Sequence, residues 1–365
     1  MDGKNPLVSI CIPTFNRANL VWRAIESAIH QTYQSIEVVV VDNASTDNTQ
    51  EVVLGYVNRD TRVKYFRNEK NIGSGNNFLK CAEYASGFYM QALGSDDWLS
   101  RDYIGECVRS FEANSDVAAV LSNVITLESS KQGRELTFVD EAPIQPGKYP
   151  ADWFFRHIYL GGAGGMGFIS FMRRNDSLPA LKKVLDNSAN MFWRGDRYEP
   201  FDMPIFLEVL AKYKSFFVTK EPAYVKTVHG RDHVGLEGDS FGSRDGLVRY
   251  AIALRRAFES FYSEHGLQNH FDQLRLFGGL SIAANLLLAV FKGWSERGAK
   301  EKYFSAVKDY FEGYSKKEKY LVTVGIVPYV FFRIAVRFGK LFTRKGSFTP
   351  SRNYFLTDDS KFSTT

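Results

Sequence analysis

Residues 36–49 read IEVVVVDNASTDNT, the most informative stretch of the chain for its fold class. A near-continuous run of Ile and Val is typical of a strand that is buried on both faces, as in a parallel sheet. Acidic, amide and hydroxyl side chains follow the run, and Ser45 and Asp47 are plausible caps for a helix predicted over Asp47–Tyr56. The stretch therefore predicts one strand–loop–helix unit of an α/β protein.

The same alternation of strand and helix patterns extends through the first 130 residues. Strands that alternate with helices form a doubly wound, mostly parallel sheet, and this is the α/β fold class that we predict. The predicted strands are Leu7–Pro13, Ile36–Val41, Val63–Arg67, Gly87–Leu93 and Val117–Ile125, and the predicted helices are Asn19–His30, Asp47–Tyr56, Asn76–Ala85 and Asp102–Ala113.

Beyond about Glu128 the pattern becomes irregular, with a predicted helix at Ala151–Leu160, a strand at Phe168–Arg173 and a helix at Met203–Tyr213. From Gly246 onward only amphipathic helix patterns are present. We expect an α/β domain over residues 1–240, with halves at 1–127 and 128–240, then a helical domain over 241–350 and a flexible tail over 351–365.

The composition is that of a protein with a packed core. Of 365 residues, 44% are hydrophobic and 24% are charged, which excludes a disordered chain, a collagen and a disulfide-stapled scaffold. The three cysteines, Cys11, Cys81 and Cys107, form no C-x-x-C pair, which favours a reducing compartment and argues against structural zinc. No apolar signal region precedes the first strand, so we expect no secretory route.

The net charge of +5 is unevenly distributed. Residues 316–345 contain eight basic residues and one acidic residue, so the rest of the chain carries a small negative charge. We therefore expect no nucleic-acid partner.

Polar residues cluster where the first four predicted strands end. They are Thr14, Asn16 and Arg17 after the first strand, Asp42, Asn43, Ser45 and Asp47 after the second, Asn71 and Gly73 after the third, and Ser95, Asp96 and Asp97 after the fourth. Ligands of open α/β sheets bind at this edge. Turn residues and helix caps would have the same composition, but four such segments at one edge favour a binding site.

These segments, in this order and spacing, resemble the motif series of glycosyltransferase family 2 over roughly residues 6–235, most densely before residue 100. The resemblance implies a GT-A fold that binds a nucleotide-sugar and a divalent cation, Mn²⁺ or Mg²⁺. The segment Asn76–Phe78 and the ending Leu93–Asp97 are most similar to bacterial transferases of the O-antigen type.

The resemblance assigns the donor site to Pro13, Thr14, Phe15, Arg17, Asp42, Asn43, Asn71, Gly73, Asn77, Ser95 and Asp96. It implies that Asp42 accepts a hydrogen bond from the base and that Phe15, where the family often has Tyr, lies against the base or ribose. Arg17 approaches the nucleotide or is a solvated neighbour of the helix start.

The acidic pair Asp96-Asp97 is the expected anchor of the cation. The cation offsets the charge of a diphosphate leaving group and takes carboxylate and phosphate oxygens. We expect Asp97 to be a direct ligand and Asp96 to face the ribose or a metal-bound water. Ser95 stands where the family has a third carboxylate, and the alternative is that the pair caps a helix beginning near Asp102.

A catalytic base must accept the proton of the acceptor hydroxyl. The stretch Tyr198–Pro204 resembles the acidic segment that holds this base in inverting members of the family, and Asp202 matches it. Phe201 replaces the usual Glu before it, and Glu199 and Asp196 are competing candidates. Asp202 also fits as the N-cap of the following helix.

The segment from Pro222 to His229 resembles the family segment that ends in a histidine near the metal or diphosphate. His229 is the first candidate for a second metal ligand and His233 is the second candidate. Lys226 is a candidate phosphate contact. A solvated loop histidine is the alternative.

The glycines of Gly162–Gly167 have the G-x-G-x-x-G spacing of dinucleotide-binding proteins. That motif requires a strand before it and a helix after it, whereas here a helix pattern precedes and a strand pattern follows. A nicotinamide cofactor is therefore not expected, and a loop beside the donor sugar fits better.

The last basic segment suggests a membrane surface. Arg333, Arg337, Lys340 and Arg344 lie on one helical face, and apolar residues fill most of the remaining circumference, a pattern typical of interfacial helices. Packing of this helix on the protein is the alternative. The apolar stretches Gly278–Phe291 and Tyr320–Phe338 are too short or too interrupted to span a bilayer. We expect a cytoplasmic protein on the inner face of the membrane, and oligomers through the C-terminal helices are compatible with this pattern.

The sequence thus predicts an inverting, metal-dependent transferase that moves a sugar from a UDP-, GDP- or dTDP-linked donor to a glycan or polyprenyl-linked acceptor. A sugar-1-phosphate nucleotidyltransferase is the first alternative, but residues 13–17 are not the Gly-rich loop that it needs. A sugar-nucleotide-binding scaffold without catalysis is the second.

Overall fold

The computed structural model describes residues 5–122, 124–129, 136–139, 145–151, 153–154, 170–191, 202–219 and 224–228, and also 263–264, 266, 308, 311, 314–317 and 319–322. The strands are β1 Val8–Thr14, β2 Ile36–Asp42, β3 Val63–Arg67, β4 Tyr89–Ala92, β5 Trp98–Leu99, β6 Ala119–Leu121, β7 Val124–Ser129, β8 Leu136–Val139, β9 Gly147–Pro150, β10 Phe171–Arg173, β11 Ser215–Val218 and β12 Tyr224–Val228. The helices are α1 Val21–Ile29, α2 Thr49–Val57, α3 Ser74–Tyr84, α4 Tyr103–Ala113, α5 Arg174–Met191 and α6 Asp202–Tyr213.

Eight strands form the main sheet in the order β3-β2-β1-β4-β10-β6-β11-β9. The pairs β3–β2, β2–β1, β1–β4 and β6–β11 are parallel, whereas β10 is antiparallel to β4 and β6, and β9 is antiparallel to β11. All seven residues of β2 are buried, as its Ile and Val run predicts. The prediction of a mostly parallel α/β sheet is confirmed.

Helices cover both faces of the main sheet, so the sheet is doubly wound. One core packs α1, α2 and α4 against the sheet face that carries Ile10, Ile12 and Val40. The other core packs α3, α5 and α6 against the opposite face, which carries Val39 and Val41. Successive strand residues alternate between the two cores because side chains along a strand point to opposite faces.

A second, four-stranded sheet has the order β5-β12-β7-β8. The prediction of one strand over Val117–Ile125 is therefore wrong, because this stretch contains β6 and the start of β7, which belong to different sheets. The chain leaves the main sheet after β6 and enters the second sheet as β7, with Ser122 and Asn123 between the two apolar runs. The expected boundary at 127/128 falls inside β7.

Two other differences concern the second half of the chain. The helix α5 was not predicted, because its first turns contain Asn175, Asp176, Ser177 and Pro179, which are typical of turns. The strand predicted at Phe168–Arg173 begins at Phe171. Most of the helix predicted at Ala151–Leu160, and the boundary near residue 241, lie outside the described residues.

Among the described residues, no helix combines the length and the apolar character that a membrane span requires.

Candidate functional site

The carboxyl ends of β3, β2, β1 and β4 lie side by side at one edge of the main sheet. Thr14 pairs with Asp42, and Asp42 pairs with Arg67, so these strand ends are in register. On the other side of β1, Cys11 pairs with Ala92 near the end of β4. Neighbouring strands are about 4.8 Å apart, so the four ends span about 14 Å. The sheet thus brings together the four polar segments identified in the sequence.

Asp42 is completely buried, and its carboxylate accepts four hydrogen bonds. Its Oδ1 accepts from the Ser45 amide at 2.8 Å and the Ser45 hydroxyl at 2.5 Å. Its Oδ2 accepts from the Tyr65 hydroxyl at 2.8 Å and from the Arg67 guanidinium at 2.9 Å. A carboxylate offers about four acceptor positions, so a base N–H that binds here must replace one of these donors. The base-binding role of Asp42 stays a prediction.

Tyr65 and Arg67 keep their donor character at neutral pH. Burial and the hydrogen bond to Asp42 raise the pKa of Tyr65 to about 12, so the hydroxyl stays protonated. The Arg67 guanidinium also donates to the Ser45 carbonyl at 2.8 Å, and it reaches solvent at the sheet edge. These two side chains are polar groups of the site that the sequence reasoning missed.

Four asparagine side chains form a continuous hydrogen-bond chain between β2, the loop after β3 and α3. Asn43 donates to Asn71 at 2.7 Å and accepts from Asn68 at 3.0 Å. Asn68 also donates to Asn77 at 2.8 Å. The buried Asn77 then donates to the Val41 carbonyl at 3.0 Å. The chain fixes three predicted donor-site residues relative to one another, and Asn68 is a member that the sequence did not single out.

Gly73 completes this loop as the residue before α3. Its φ of +85° lies in the region that favours glycine, and its amide donates to Asn71 Oδ1 at 2.9 Å. The Ile72 amide donates to Asn43 Oδ1 at 3.0 Å. Backbone and side chains of the loop are therefore joined in one network.

The loop after β1 is fastened to the loop after β2. The Asn16 amide donates to Ser45 Oγ at 2.9 Å, and Asn16 Oδ1 accepts from the Thr46 amide at 2.8 Å. Asn16 has a φ of +50°, a conformation that Asn tolerates better than most residues. These contacts hold Phe15 and Arg17, both partly exposed, at the sheet edge.

Asp47 also forms hydrogen bonds that hold the loop after β1. Its Oδ2 accepts from the Ala18 amide at 3.0 Å, and its Oδ1 accepts from the Thr49 amide and hydroxyl at 3.0 and 2.5 Å. Burial opposes ionisation, but these hydrogen bonds outweigh it and lower the pKa of Asp47. The Arg17 amide donates to Thr49 Oγ1 at 2.9 Å, and the Arg17 side chain donates to the Asn16 carbonyl at 3.2 Å. Asp47 thus connects the loop after β1 to the first residue of α2, whose N-cap position is occupied by Asn48.

Two predicted donor residues lie in β1 itself. Pro13 is partly buried, and Thr14 is buried with Oγ1 lacking a hydrogen-bond partner among the described residues. An unpartnered buried hydroxyl is unusual in proteins, and its position in the last residue of β1 is compatible with a polar ligand at this edge.

The acidic pair lies in a turn directly after β4. The Asp97 amide donates to the Gly94 carbonyl at 3.1 Å, and Ser95 and Asp97 are each 8% exposed. A Cβ on Gly94 would lie 2.5 Å from Asp97 Oδ2 and 3.1 Å from Asp96 Oδ1. Both carboxylates therefore converge on the backbone of Gly94. Since β5 follows Asp97 directly and α4 begins at Tyr103, the pair is not a helix cap.

Tyr224 of β12 completes the surroundings of Asp97. Its hydroxyl donates to Asp97 Oδ2 at 2.9 Å and accepts from the Gly94 amide at 3.1 Å. Burial and the nearby Asp97 charge raise the pKa of Tyr224 well above its usual value, so the hydroxyl is a donor. Tyr224 follows Asp97 by more than 120 positions, so no local sequence pattern indicates that the two residues are in contact.

The donor set at this turn fits a hard divalent cation that is shared with a ligand. Two carboxylates at one strand end suit Mn²⁺ or Mg²⁺, which often keep few protein ligands and add phosphate oxygens and water. In the described part of the chain, no group of three or more His, Cys, Asp or Glu side chains is placed to hold a metal, and the three cysteines are buried. A cation at this turn would take phosphate oxygens of a ligand in addition to the carboxylate.

The remaining predicted residues are only partly described. Asp202 is the first residue of α6, which leads through Lys214 into β11, and β11 runs parallel to β6. A helix that precedes a parallel strand in this way begins at the carboxyl edge of the sheet. Lys226 is the third residue of the strand β12. Asp196, Glu199, His229, His233 and the glycines at 162–167 lie outside the described residues.

Residues 9–175 match the model of glycosyl transferase family 2. The hyaluronan synthase of Pasteurella multocida is 36% identical over 115 residues, which are 32% of this chain and 12% of that protein. The abequosyltransferase RfbV of Salmonella typhimurium is 34% identical over 114 residues, 30% of this chain and 34% of RfbV.

A third relative is the GalNAc(5)-diNAcBac-PP-undecaprenol beta-1,3-glucosyltransferase of Campylobacter jejuni. It is 31% identical over 133 residues, which are 36% of this chain and 42% of that protein. The chain thus spans less than half the length of each of these relatives.

The fold is similar to that of S. aureus TarS residues 1–349, solved in complex with UDP-GlcNAc. The TM-score is 0.62 at 16% identity, with 92% of this chain and 89% of that chain covered. At this identity the likeness concerns the fold alone, and it agrees with the GT-A-type architecture predicted from the sequence.

Proposed function

Because residues 9–175 match the model of glycosyl transferase family 2, we propose that the chain transfers a sugar from a nucleotide-diphosphate-sugar to a glycan or lipid-linked acceptor. The observation that carries the proposal is the alignment of four polar strand ends at one edge, with the acidic pair at the β4 end. The donor is a UDP-, GDP- or dTDP-linked sugar.

The nucleotide lies along the edge with its base towards β2 and β3 and its diphosphate towards β4. Asp42, Arg67 and the asparagine chain are the polar groups at the base end, and Phe15 provides an aromatic surface. Thr14 offers its unpartnered hydroxyl between the two ends. This direction puts the charged diphosphate beside the acidic pair, where a cation is needed.

Asp97 would hold Mn²⁺ or Mg²⁺ directly, with Asp96 facing the ribose or a metal-bound water, and His229 is the further ligand that the family resemblance implies. Such a cation would offset the negative charge that develops on the diphosphate as it leaves. Ser95, at the family's third carboxylate position, adds no charge to this set. Gly94 lets both carboxylates approach the backbone of the turn.

Transfer proceeds by single displacement with inversion. The acceptor hydroxyl attacks the anomeric carbon, and the bond from this carbon to the diphosphate oxygen breaks with its electron pair on the leaving group. Asp202 takes the hydroxyl proton, since a neutral sugar hydroxyl is a weak nucleophile. The position of α6, which begins at the carboxyl edge of the sheet, supports this assignment, and Glu199 and Asp196 stay the competing candidates.

The acceptor is a surface polysaccharide or its polyprenyl-linked precursor. One similar protein carries a name that specifies an undecaprenol-linked glycan, which supports this class of acceptor. The basic helical face of Arg333, Arg337, Lys340 and Arg344 would hold the chain on the anionic inner face of the membrane, close to such acceptors.

Product analysis tests the proposal. The full chain is incubated with UDP-, GDP- and dTDP-sugars and Mn²⁺, with and without a chelator. We expect one donor class to release its nucleoside diphosphate, and the chelator to prevent the release. Pyrophosphate formation from a nucleoside triphosphate and a sugar 1-phosphate would indicate a nucleotidyltransferase instead. Tight donor binding without turnover, with every acceptor class supplied, would indicate a scaffold.

A further inference from the structure

Among the described residues, the side chain of Tyr224 in the second sheet contacts the acidic turn. Tyr224 is the first residue of β12, where its backbone lies between Leu99 of β5 and Val124 of β7. The side chain is 1% exposed. Its hydroxyl is nevertheless within hydrogen-bond distance of both Asp97 and Gly94.

We propose that Tyr224 is a positioning residue for Asp97, which orients this carboxylate for the cation of the donor complex. The inference rests on the proposed function, in which Asp97 binds that cation. It adds Tyr224 of the second sheet to the polar groups that the main sheet brings together at its carboxyl edge.

The geometry fixes the carboxylate from one side. The terminal torsion of an aspartate is broad, so an Asp side chain does not determine the plane of its own carboxylate. A donor on Oδ2 at 2.9 Å selects one plane, and a hydrogen bond to an ionised acceptor is stronger than a neutral one. The Gly94 amide donates to the same hydroxyl at 3.1 Å and so directs the hydroxyl proton towards Asp97.

The ring of Tyr224 is itself rigidly held. It belongs to the buried core formed by α1, α2 and α4 with the sheet, and it contacts the ring of Tyr103 edge-on at a centroid distance of 6.5 Å. A side chain packed on all sides cannot follow a displaced carboxylate. Tyr224 therefore determines where Asp97 lies, and not the reverse.

The contact also makes the site depend on the second sheet. The strand that begins with Tyr224 continues to Lys226 and ends at Val228, immediately before His229 in the chain. A shift of β12 along β5 and β7 would move the Tyr224 hydroxyl away from Asp97. The acidic pair is thus tied to the strand that leads to the other predicted diphosphate contacts.

The test compares Tyr224→Phe with Tyr103→Phe in the full chain. Both tyrosines are fully buried, and their rings touch, but the Tyr103 hydroxyl donates to Gln91 at 2.8 Å and not to the acidic turn. The measured quantity is the affinity for Mn²⁺ in the presence of UDP, GDP or dTDP, from the electron paramagnetic resonance signal of free Mn²⁺. Melting temperature and nucleotide affinity without metal are measured in parallel.

Loss of an outer partner of a metal ligand costs about 10–100-fold in metal affinity, and this is the effect expected for Tyr224→Phe. Tyr103→Phe should keep the wild-type affinity, and both variants should keep the nucleotide affinity without metal. If Tyr224→Phe does not fold, Gly94→Ala tests the same contact, because the added methyl displaces Asp97 while Tyr224 stays in the core.

Three results would overturn the inference, and they differ in what else they overturn. Wild-type Mn²⁺ affinity in the folded Tyr224→Phe variant would refute the positioning role and leave the proposed function intact. Wild-type affinity in Gly94→Ala would refute the cation at this turn and, with it, the positioning role. A wild-type chain that binds no Mn²⁺ with any of the three nucleotides would refute the metal site and, with it, the role of Tyr224.

Discussion

At the scale of single residues, the acidic turn depends on Gly94, where the addition of one methyl group would displace Asp97. Its Cα faces both carboxylates of the acidic pair, so any Cβ would collide with Asp97 Oδ2. The turn after β4 is therefore built around the absence of a side chain. Glycine is needed here for close approach and not for an unusual φ angle.

Gly94→Ala should lower the affinity for Mn²⁺ with a nucleoside diphosphate at least tenfold, because Asp97 must move to accommodate the methyl group. The melting temperature should change little, since the turn lies at the end of a strand. Gly55→Ala in α2 is the matched control, because its added Cβ meets no atom within 4 Å. It should stabilise the protein by up to about 1 kcal/mol and leave metal affinity unchanged. Equal affinities in both variants would argue against a metal site at this turn.

Asp202→Asn keeps the shape of the side chain but removes its ability to take a proton. Turnover should fall by about 10²–10⁴-fold, the usual contribution of a positioned general base, while donor affinity changes little. Steady-state kinetics with the identified donor and a calorimetric donor titration check the two halves of this prediction. Full activity of Asp202→Asn together with an inactive Glu199→Gln would mean that the base is Glu199.

At the scale of secondary-structure elements, the first half of the fold could be predicted from the sequence. The β3 prediction matches at both ends, and β1, β2, α1, α2 and α4 lie within two residues of their predicted bounds. The strand β2 is a completely buried apolar run, and α1 buries Val21, Ala24, Ile25 and Ala28 at helical spacing, so both are visible in the local sequence. The local sequence pattern is sufficient to identify these elements because β1, β2 and β3 are parallel neighbours in the main sheet.

The second half depends on pairing that no local pattern specifies. The strand β12 is short, and its sequence does not indicate that it joins β5 and β7 in a separate sheet. The break between β6 and β7 lies inside a stretch that is apolar on both sides. The contact between Tyr224 and Asp97 is a product of this pairing, which is why the sequence identified Asp97 and missed Tyr224.

The opposite edge of the main sheet has its own polar cluster, centred on Glu37 at the start of β2. The buried carboxylate accepts hydrogen bonds from Ser9 of β1 at 2.5 Å, from Lys64 of β3 at 2.6 Å and from the Ser86 amide before β4 at 2.6 Å. Burial alone would raise the pKa of Glu37, but the hydrogen bonds from Lys64, Ser9 and Ser86 outweigh it and lower this pKa. Glu37 of β2 thus links β1, β3 and the residues before β4, at the sheet edge opposite the candidate site.

Glu37→Gln should lower the free energy of unfolding at pH 7 by about 1.5–3 kcal/mol, the usual contribution of hydrogen bonds to a charged group. The folded-state pKa lies below the unfolded value of about 4.3, so this contribution is present above pH 4.3 and is lost as the pH falls through the folded-state pKa. Urea unfolding of both proteins between pH 7 and pH 3 measures the difference. A difference that does not shrink in acid would contradict the assigned role, and nucleotide affinity should be unchanged.

At the scale of the whole molecule, the described residues include one contact between the α/β domain and the later part of the chain. Lys183 of α5 bonds to Glu208 of α6 at 2.9 Å and to Glu264 at 2.8 Å. The predicted domain over residues 241–350 thus has a contact with the domain that carries the site. The basic face predicted near the end of that domain gives a further prediction at this scale.

Replacement of Arg333, Arg337, Lys340 and Arg344 by Gln should release most of the protein from vesicles that contain anionic lipid, since each basic residue contributes about 1 kcal/mol. The control replaces the exposed cations Arg59, Arg101, Arg109 and Lys182 by Gln, which removes the same charge from the α/β domain. Co-sedimentation at low and high salt measures binding, and wild-type binding should weaken as salt rises. If the wild-type protein does not bind anionic vesicles at low salt, the proposed attachment to a membrane surface is contradicted.

The central claim is that four strand ends of one sheet bind a nucleoside diphosphate together with a cation held at Asp97. Calorimetric titration of UDP, GDP and dTDP into the full chain, with Mn²⁺ and with a chelator, tests it most directly. The account predicts that one nucleotide binds much more tightly with Mn²⁺, and that Asp97→Asn abolishes this gain while the weak metal-free binding remains. Metal-independent binding of equal strength in the wild-type and Asp97→Asn proteins, or no binding of any of the three nucleotides, would contradict it.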